Sequence, residues 1–169
     1  LDIAEAIERC VEERGRCVIG FGAGKGVLEV YDELVRLYFA DKVSFAKVVA
    51  FNISELGFGQ QATESQNNFR RLQERLFNKI DIDPSNVYTI DEGATKENVH
   101  RYCKQYETLI DSFGGIDLLV CQLTKNGGLA FNEPGSQSTS SCRLVLLSND
   151  TRQRIADSYQ CEVAPDTAV

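Results

Sequence analysis

The sequence lacks long hydrophobic runs, basic clusters and, with one exception, histidine. None of its apolar stretches approaches the roughly 18 residues that a membrane span needs, so no membrane association is expected. The N-terminal segment LDIAEAIERC is acidic and amphipathic, and it predicts no signal peptide. The net charge of −7 argues against nucleic-acid binding, because Lys and Arg side chains that neutralise phosphates supply most of that affinity.

The cysteines and the single histidine do not form a metal-binding pattern. No cysteine pair has C-x-x-C spacing, and His100 is predicted to be a solvated residue of a long helix, so no metal site is expected. The chain is too long and too regular for a fold held together by disulfides. We therefore expect reduced, buried thiols in a cytoplasmic protein. The six cysteines are Cys10, Cys17, Cys103, Cys121, Cys142 and Cys161.

Predicted helices and strands alternate along the chain. Apolar side chains at helical spacing predict helices over residues 2–14, 27–40, 66–79, 95–113 and 150–159. Short apolar runs predict strands over residues 16–21, 45–53, 87–90, 116–123 and 143–147, and the strand at 116–123 is expected to be buried. This alternation predicts a Rossmann-like, three-layer αβα fold with a mostly parallel sheet.

Nothing in the sequence divides the chain into several domains. It contains no internal repeat, low-complexity tract or linker, so a single domain over residues 1–169 is expected. Residues 54–65 are polar and contain two glycines, which predicts a loop. The tail at 161–169 is expected to be extended and without a partner element, and its apolar end suggests a further strand beyond it.

A glycine-rich turn follows the first predicted strand. Gly20, Gly22, Gly24 and Gly26 alternate between that strand and the next helix, where backbone N–H groups can cradle a phosphate. The spacing fits neither a P-loop nor the dinucleotide-binding fingerprint. Two interpretations stay open, a turn that merely needs glycine and a phosphate-facing loop with Lys25 as a point charge.

A second irregular segment, CQLTKNGGLAFNEPGS, covers residues 121–136 at the end of the strand predicted at 116–123. Asn126-Gly127-Gly128 predicts a tight turn, and Glu133 places a carboxylate in an apolar setting bounded by turns. Loops beyond the carboxyl ends of parallel strands are where ligands bind. The alternative is an irregular surface loop.

Four segments carry recognisable motifs, of which AFNEP is the most specific: VSFAKVVAFNISEL (43–56), IDIDPSNVYTID (80–91), GGIDLLV (114–120) and GGLAFNEPGS (127–136). Together they resemble the glucosamine-6-phosphate deaminase/isomerase family. The resemblance implies the Rossmann-like fold of sugar-phosphate isomerases and deaminases. It also implies conversion of glucosamine 6-phosphate to fructose 6-phosphate and ammonia without a cofactor. That chemistry needs a carboxylate base and a ring-opening histidine held by carboxylates.

The family's proton-handling residues are mostly replaced in this chain. Ser54 stands where the resemblance places the proton-shuttling aspartate, and a serine hydroxyl needs its own activator to act as a base. Asn126 stands where a second aspartate is expected, and Gly128 stands where the ring-opening histidine is expected. Glu133 is the retained member of this catalytic set, and Glu55 is retained beside Ser54.

The resemblance also marks residues that would bind phosphate or an effector. The phosphate-binding turn corresponds to Gly22, Gly24, Lys25 and Gly26, and its hydroxyl-bearing residues fall on the last two. The arginine that clamps phosphate falls on Asp157, which reverses the charge. Ser136 and Arg143 match positions that in some members bind an effector sugar phosphate between subunits.

These replacements predict a catalytically impaired member that acts as a sugar-phosphate-binding or structural subunit. The alternative is an active sugar-phosphate isomerase or deaminase that uses rearranged groups such as Glu55 and Glu133. A sugar phosphate is the expected small-molecule partner, and a homo-oligomer or a larger protein assembly is expected. No nucleic acid or membrane partner is expected.

Overall fold

The computed structural model describes residues 3–57, 67–90, 94–95, 97–161 and 164–169. Most of the loop predicted at 54–65 lies outside these residues. The helices are α1 (Ile3–Arg14), α2 (Leu28–Phe39), α3 (Asn68–Arg75), α4 (Val99–Ser112) and α5 (Asn149–Tyr159). The strands are β1 (Cys17–Phe21), β2 (Val48–Asn52), β3 (Val87–Tyr88), β4 (Leu118–Val120), β5 (Val145–Leu146) and β6 (Thr167–Ala168).

The core of the molecule is a four-stranded sheet in the order β3-β2-β1-β4, with each neighbouring pair parallel. Both central strands are buried along their whole length, because helices cover both faces. Ile19 and Phe21 pack with residues of α1, α2 and α3 on one face, whereas Val18 packs with residues of α4 on the other. This arrangement confirms the predicted three-layer fold with a mostly parallel sheet.

Strand β4 is shorter and more exposed than its sequence predicts. It covers Leu118–Val120 and pairs with β1 at the end of the four-stranded sheet. Leu119 is 49% exposed, so the expectation of a fully buried strand at 116–123 is wrong. A hydrophobic run identifies a strand, but its neighbours in the sheet decide how much of it is covered.

The C-terminal tail forms a strand, which corrects the expectation that it has no partner. β6 pairs antiparallel with β5, with Val145 opposite Ala168. Beyond this pair, Val169 exchanges two backbone hydrogen bonds with Glu55 (2.7 and 2.9 Å). Ala168 also packs in a small core with residues of α5 and the segment after β2. The tail therefore ties α5 to the carboxyl end of β2.

All six cysteines are free thiols, and two of them, Cys17 and Cys103, are buried while the other four are half-buried. Among the described residues, no helix is both long enough and apolar enough to cross a membrane.

Candidate functional site

A cavity of about 350 Å³ opens at the carboxyl edge of the sheet. Segments that follow three parallel strands line it: residues 22–25 after β1, Ser54 after β2, and Cys121, Gln122 and Thr124 after β4. Helices α3 and α5, together with Ala130 and Phe131, complete the described lining. The parallel strands end at one edge of the sheet, and this edge is where such folds bind ligands.

Two hydrogen bonds fix the glycine turn where it lines this cavity. The backbone N–H of Gly22 donates to the carbonyl of Val120 (2.8 Å), and the buried Tyr31 hydroxyl donates to the carbonyl of Gly22. A Cβ atom on Gly22 would lie 3.3 Å from that Val120 oxygen, so the close approach favours glycine. Burial raises the pKa of Tyr31, which keeps its hydroxyl protonated as the donor.

Among the described residues, three cationic side chains line the cavity: Lys25, Arg71 and Arg154. The guanidinium of Arg71 lies 3.8 Å from the ring centroid of Tyr159 and donates to the carbonyl of Ala23 (3.3 Å). These two contacts hold Arg71 against the glycine turn. The family resemblance predicts neither Arg71 nor Arg154 as a binding residue.

Arg154 and Asp157 reach the cavity from the same face of α5. They are three residues apart, and residues at this spacing are neighbours on a helix surface. Arg154 donates to the hydroxyl of Thr151 (2.6 Å), and Asp157 accepts a hydrogen bond from Gln153 (3.0 Å). The reversal of charge at Asp157 is therefore accompanied by a cation one helical turn away. The three-residue spacing from Asp157 is the feature of the sequence that could have identified Arg154 as a cavity residue.

Ser54 lies in the cavity wall and is 5% exposed. The side-chain amide of Asn68 donates to the Ser54 carbonyl (3.0 Å) and to its hydroxyl (3.4 Å). Within the described part of the chain, neither an imidazole nor a carboxylate is hydrogen-bonded to this hydroxyl. Its partner is therefore an amide donor, and such a contact does not activate a hydroxyl as a base.

Glu55 is buried and does not line the cavity. Its carboxylate accepts hydrogen bonds from the backbone N–H groups of Leu56 (3.0 Å), Asn68 (2.8 Å) and Phe69 (2.9 Å) and from the amide of Asn52 (3.2 Å). Burial raises the pKa of Glu55, and these hydrogen bonds oppose that rise. The residue thus joins the end of β2 to the first turn of α3, a structural role.

Three predicted catalytic positions lie outside the lining of this cavity: Glu133, Asn126 and Gly128. Glu133 accepts hydrogen bonds from the hydroxyl of Ser148 (2.8 Å) and from its backbone N–H (3.4 Å), just before α5. A hydrogen bond from Thr151, followed by those from Ser148, lowers the pKa of Glu133. Its carboxylate therefore acts as a local acceptor at the start of α5.

Hydrogen bonds between its own residues hold the turn that contains Asn126 and Gly128. The side-chain oxygen of Asn126 accepts a hydrogen bond from the Thr124 hydroxyl (2.6 Å). A Cβ atom on Gly128 would lie 2.9 Å from both the Asn132 carbonyl oxygen and the Thr124 hydroxyl. A side chain at position 128 would therefore require this turn to move.

The predicted effector residues Ser136 and Arg143 meet in a separate exposed groove that Glu133 also lines. The guanidinium of Arg143 donates to the side-chain oxygens of Asn132 (2.9 Å) and Ser136 (3.2 Å). His100 lies on the exposed surface of α4, away from the 350 Å³ cavity.

The chain is similar in sequence to glucosamine-6-phosphate deaminases and to a deaminase-like protein. The chain is 39% identical over 159 residues to a putative glucosamine-6-phosphate deaminase-like protein of Bacteroides thetaiotaomicron, covering 94% of this chain and 24% of that protein. It is 36% identical over 152 residues to the glucosamine-6-phosphate deaminase of Caenorhabditis elegans, covering 89% of this chain and 55% of that protein. The chain thus spans about half or less of these relatives.

The solved structures agree with the sequence matches. A monomeric glucosamine-6-phosphate deaminase superposes with a TM-score of 0.83 at 29% identity, covering 99% of this chain and 69% of that one. The 6-phosphogluconolactonase of Thermotoga maritima shares the fold, with a TM-score of 0.70 at 23% identity over 88% of this chain and 66% of that one. Residues 1–154 match the model of the family described as glucosamine-6-phosphate isomerases/6-phosphogluconolactonase, and the chain belongs to this family.

Proposed function

We propose that this chain is a catalytically impaired member of the family that binds a sugar phosphate in the 350 Å³ cavity and acts as a binding or structural subunit. The observation that carries this proposal is the composition of one cavity. Cations and the glycine turn line it together with Ser54, at the position where the family resemblance places a base.

The charge of the cavity suits a phosphate ester. The described lining holds three cations, Lys25, Arg71 and Arg154, and one acidic residue, Asp157. Arg154 is also ion-paired with Asp150 (3.2 Å), so the net excess is one positive charge. A phosphate monoester carries about −1.5 to −2 charges at neutral pH. Small-molecule sites typically enclose about 300–1,000 Å³, so this cavity is sized for one small ligand such as a hexose phosphate.

Among the described lining residues, the position where the resemblance places the proton-shuttling aspartate holds Ser54, and no imidazole is present. Deamination with isomerisation needs a general base and an acid–base group for ring opening, each contributing about 10²–10⁴-fold to the rate. Ser54 is hydrogen-bonded by an amide, and Glu133 is engaged with Ser148 outside the cavity. These contacts favour binding without turnover.

One observation favours the alternative of an active enzyme with rearranged groups. Asp157 places a carboxylate in the cavity wall, and this group could take over the role of the base. Release of ammonia from glucosamine 6-phosphate at ordinary enzyme rates, abolished by Asp157→Asn, would support that alternative and contradict catalytic impairment.

Binding is tested by calorimetry and thermal shift with glucosamine 6-phosphate, and with glucosamine as the ligand that lacks phosphate. A ligand at about 100 times its Kd adds about 2.7 kcal/mol to the stability of the folded state. Arg71→Ala and Arg154→Ala are each expected to weaken Kd about 10- to 150-fold, since hydrogen bonds to charged groups contribute about 1.5–3 kcal/mol.

Arg36→Ala is the matched control, because Arg36 forms an exposed ion pair with Glu33 on α2, outside the cavity. It is expected to bind like the unchanged protein. No binding of hexose or hexosamine phosphates would overturn the proposal and leave a purely structural role.

A further inference from the structure

The side chain of Gln122 contacts the glycine turn. Gln122 follows β4 closely, and its side-chain oxygen accepts a hydrogen bond from the backbone N–H of Gly26 (3.0 Å). A Cβ atom on Gly24 would lie 2.7 Å from that oxygen, and one on Gly26 would lie 3.0 Å from the amide carbon. The carboxamide is therefore in close contact with the turn at Gly24 and Gly26.

This hydrogen bond occupies the backbone N–H of Gly26, a donor that a phosphate bound at the turn would need. Gly26 lies in the short helical turn Lys25–Val27 that leads into α2, where backbone N–H groups favour anions. The carboxamide oxygen of Gln122 already takes the hydrogen bond of Gly26, so a phosphate oxygen can reach this N–H only after the side chain rotates away.

We infer that Gln122 is a specificity-determining residue that competes with ligand phosphate for the glycine turn and so weakens the binding of phosphate esters. This inference rests on the proposed function, because it concerns the same cavity. A neutral carboxamide accepts a weaker hydrogen bond than a phosphate oxygen does, so a phosphate displaces it at a modest loss of affinity.

The geometry also defines the opposing possibility, in which Gln122 rotates and donates its amide N–H to the phosphate. The two roles predict opposite effects of truncation. Removing a competitor tightens binding, whereas removing a ligand weakens it. The substitution Gln122→Ala deletes the carboxamide without adding backbone freedom, and it separates the two roles directly.

The test is isothermal titration calorimetry of the full chain with inorganic phosphate and with glucosamine 6-phosphate. Gln122→Ala is expected to tighten Kd roughly three- to tenfold for both ligands, the factor that corresponds to one ordinary hydrogen bond. Gln122→Glu is expected to abolish measurable binding, because it places a negative charge at the turn. Gln105→Ala, the same truncation on the exposed side of α4, is the control and is expected to leave Kd unchanged.

The outcomes distinguish competition by Gln122 from the binding of phosphate esters itself. If the unchanged protein binds and Gln122→Ala binds equally or more weakly, competition is refuted while the proposed function stands. If neither protein binds either ligand, the proposed function fails and the inference fails with it. Amide exchange of Gly26 gives a second measurement without ligand: it is expected to be faster in Gln122→Ala, and an unchanged rate would refute the hydrogen bond.

Discussion

The substitution Glu55→Gln tests whether this carboxylate is part of the framework or part of the chemistry. In the structure, the Glu55 carboxylate accepts four hydrogen bonds, two of them from the first backbone N–H groups of α3. Glutamine has nearly the same shape but replaces one acceptor oxygen with an NH₂ group. That group would face two donors, and the remaining oxygen would be uncharged.

The expected loss of stability follows from these contacts. Two hydrogen bonds to a charged acceptor are lost, and each contributes about 1.5–3 kcal/mol. Removing a buried charge offsets part of this loss, consistent with the raised pKa of Glu55. We expect the free energy of unfolding to fall by about 2–4 kcal/mol. For a domain of this size, that lowers Tm by about 5–15 °C.

The assay is urea denaturation at neutral pH, with Glu12→Gln as the control. Glu12 is exposed on α1, so the same chemical change there is expected to alter stability by less than about 0.5 kcal/mol. Glu55→Gln with unaltered stability would refute the structural role. If the unchanged protein releases ammonia from glucosamine 6-phosphate, loss of that release in Glu55→Gln at unaltered stability would identify Glu55 as a catalytic base instead.

Three further substitutions probe the turn and the sheet. Tyr31→Phe leaves the buried Gly22 carbonyl without its hydroxyl donor and is expected to cost about 1–2 kcal/mol in urea denaturation; unchanged stability would contradict this contact. Gly20→Ala places a Cβ atom 2.7 Å from Ile53 and 2.8 Å from Leu119, and overpacking of this kind costs about 1–3 kcal/mol in the same assay. Because the pKa of Glu133 is lowered in the folded state, its contribution to stability is present above the unfolded pKa of about 4.3 and is lost as pH falls through the folded pKa. The stability difference between Glu133→Gln and the unchanged protein should therefore shrink below about pH 4, and a difference that grows there would reverse the sign of the shift.

Much of the architecture was predictable because its signals are local. The central strands are continuous apolar runs, and the helices carry apolar residues at helical spacing, so their order along the chain predicts a parallel sheet with helices on both faces. The glycine turn was likewise visible, since its residues alternate between one strand and one helix. Its lining of a cavity agrees with the phosphate-facing interpretation, which stays a prediction.

The walls of the cavity were less predictable. Arg71 and Arg154 lie on α3 and α5, and the sequence does not show that these two helices line one cavity with the glycine turn. Glu133, by contrast, belongs to the most recognisable motif, yet it lies outside the lining because Ser148 holds it at the start of α5. The orientation of the Glu133 side chain depends on its hydrogen bond with Ser148, a residue outside the motif.

By itself, the sequence determined the family, the alternation of strands and helices and the absence of the family's aspartate and histidine at positions 54, 126 and 128. Only the tertiary structure decided that β4 is half-exposed, that the tail pairs with β5, and that Gln122 covers the glycine turn. The physical reason is that residue type and periodicity encode local conformation. Burial and hydrogen bonding at these sites depend on partners distant in the chain, which meet only when the helices and strands pack.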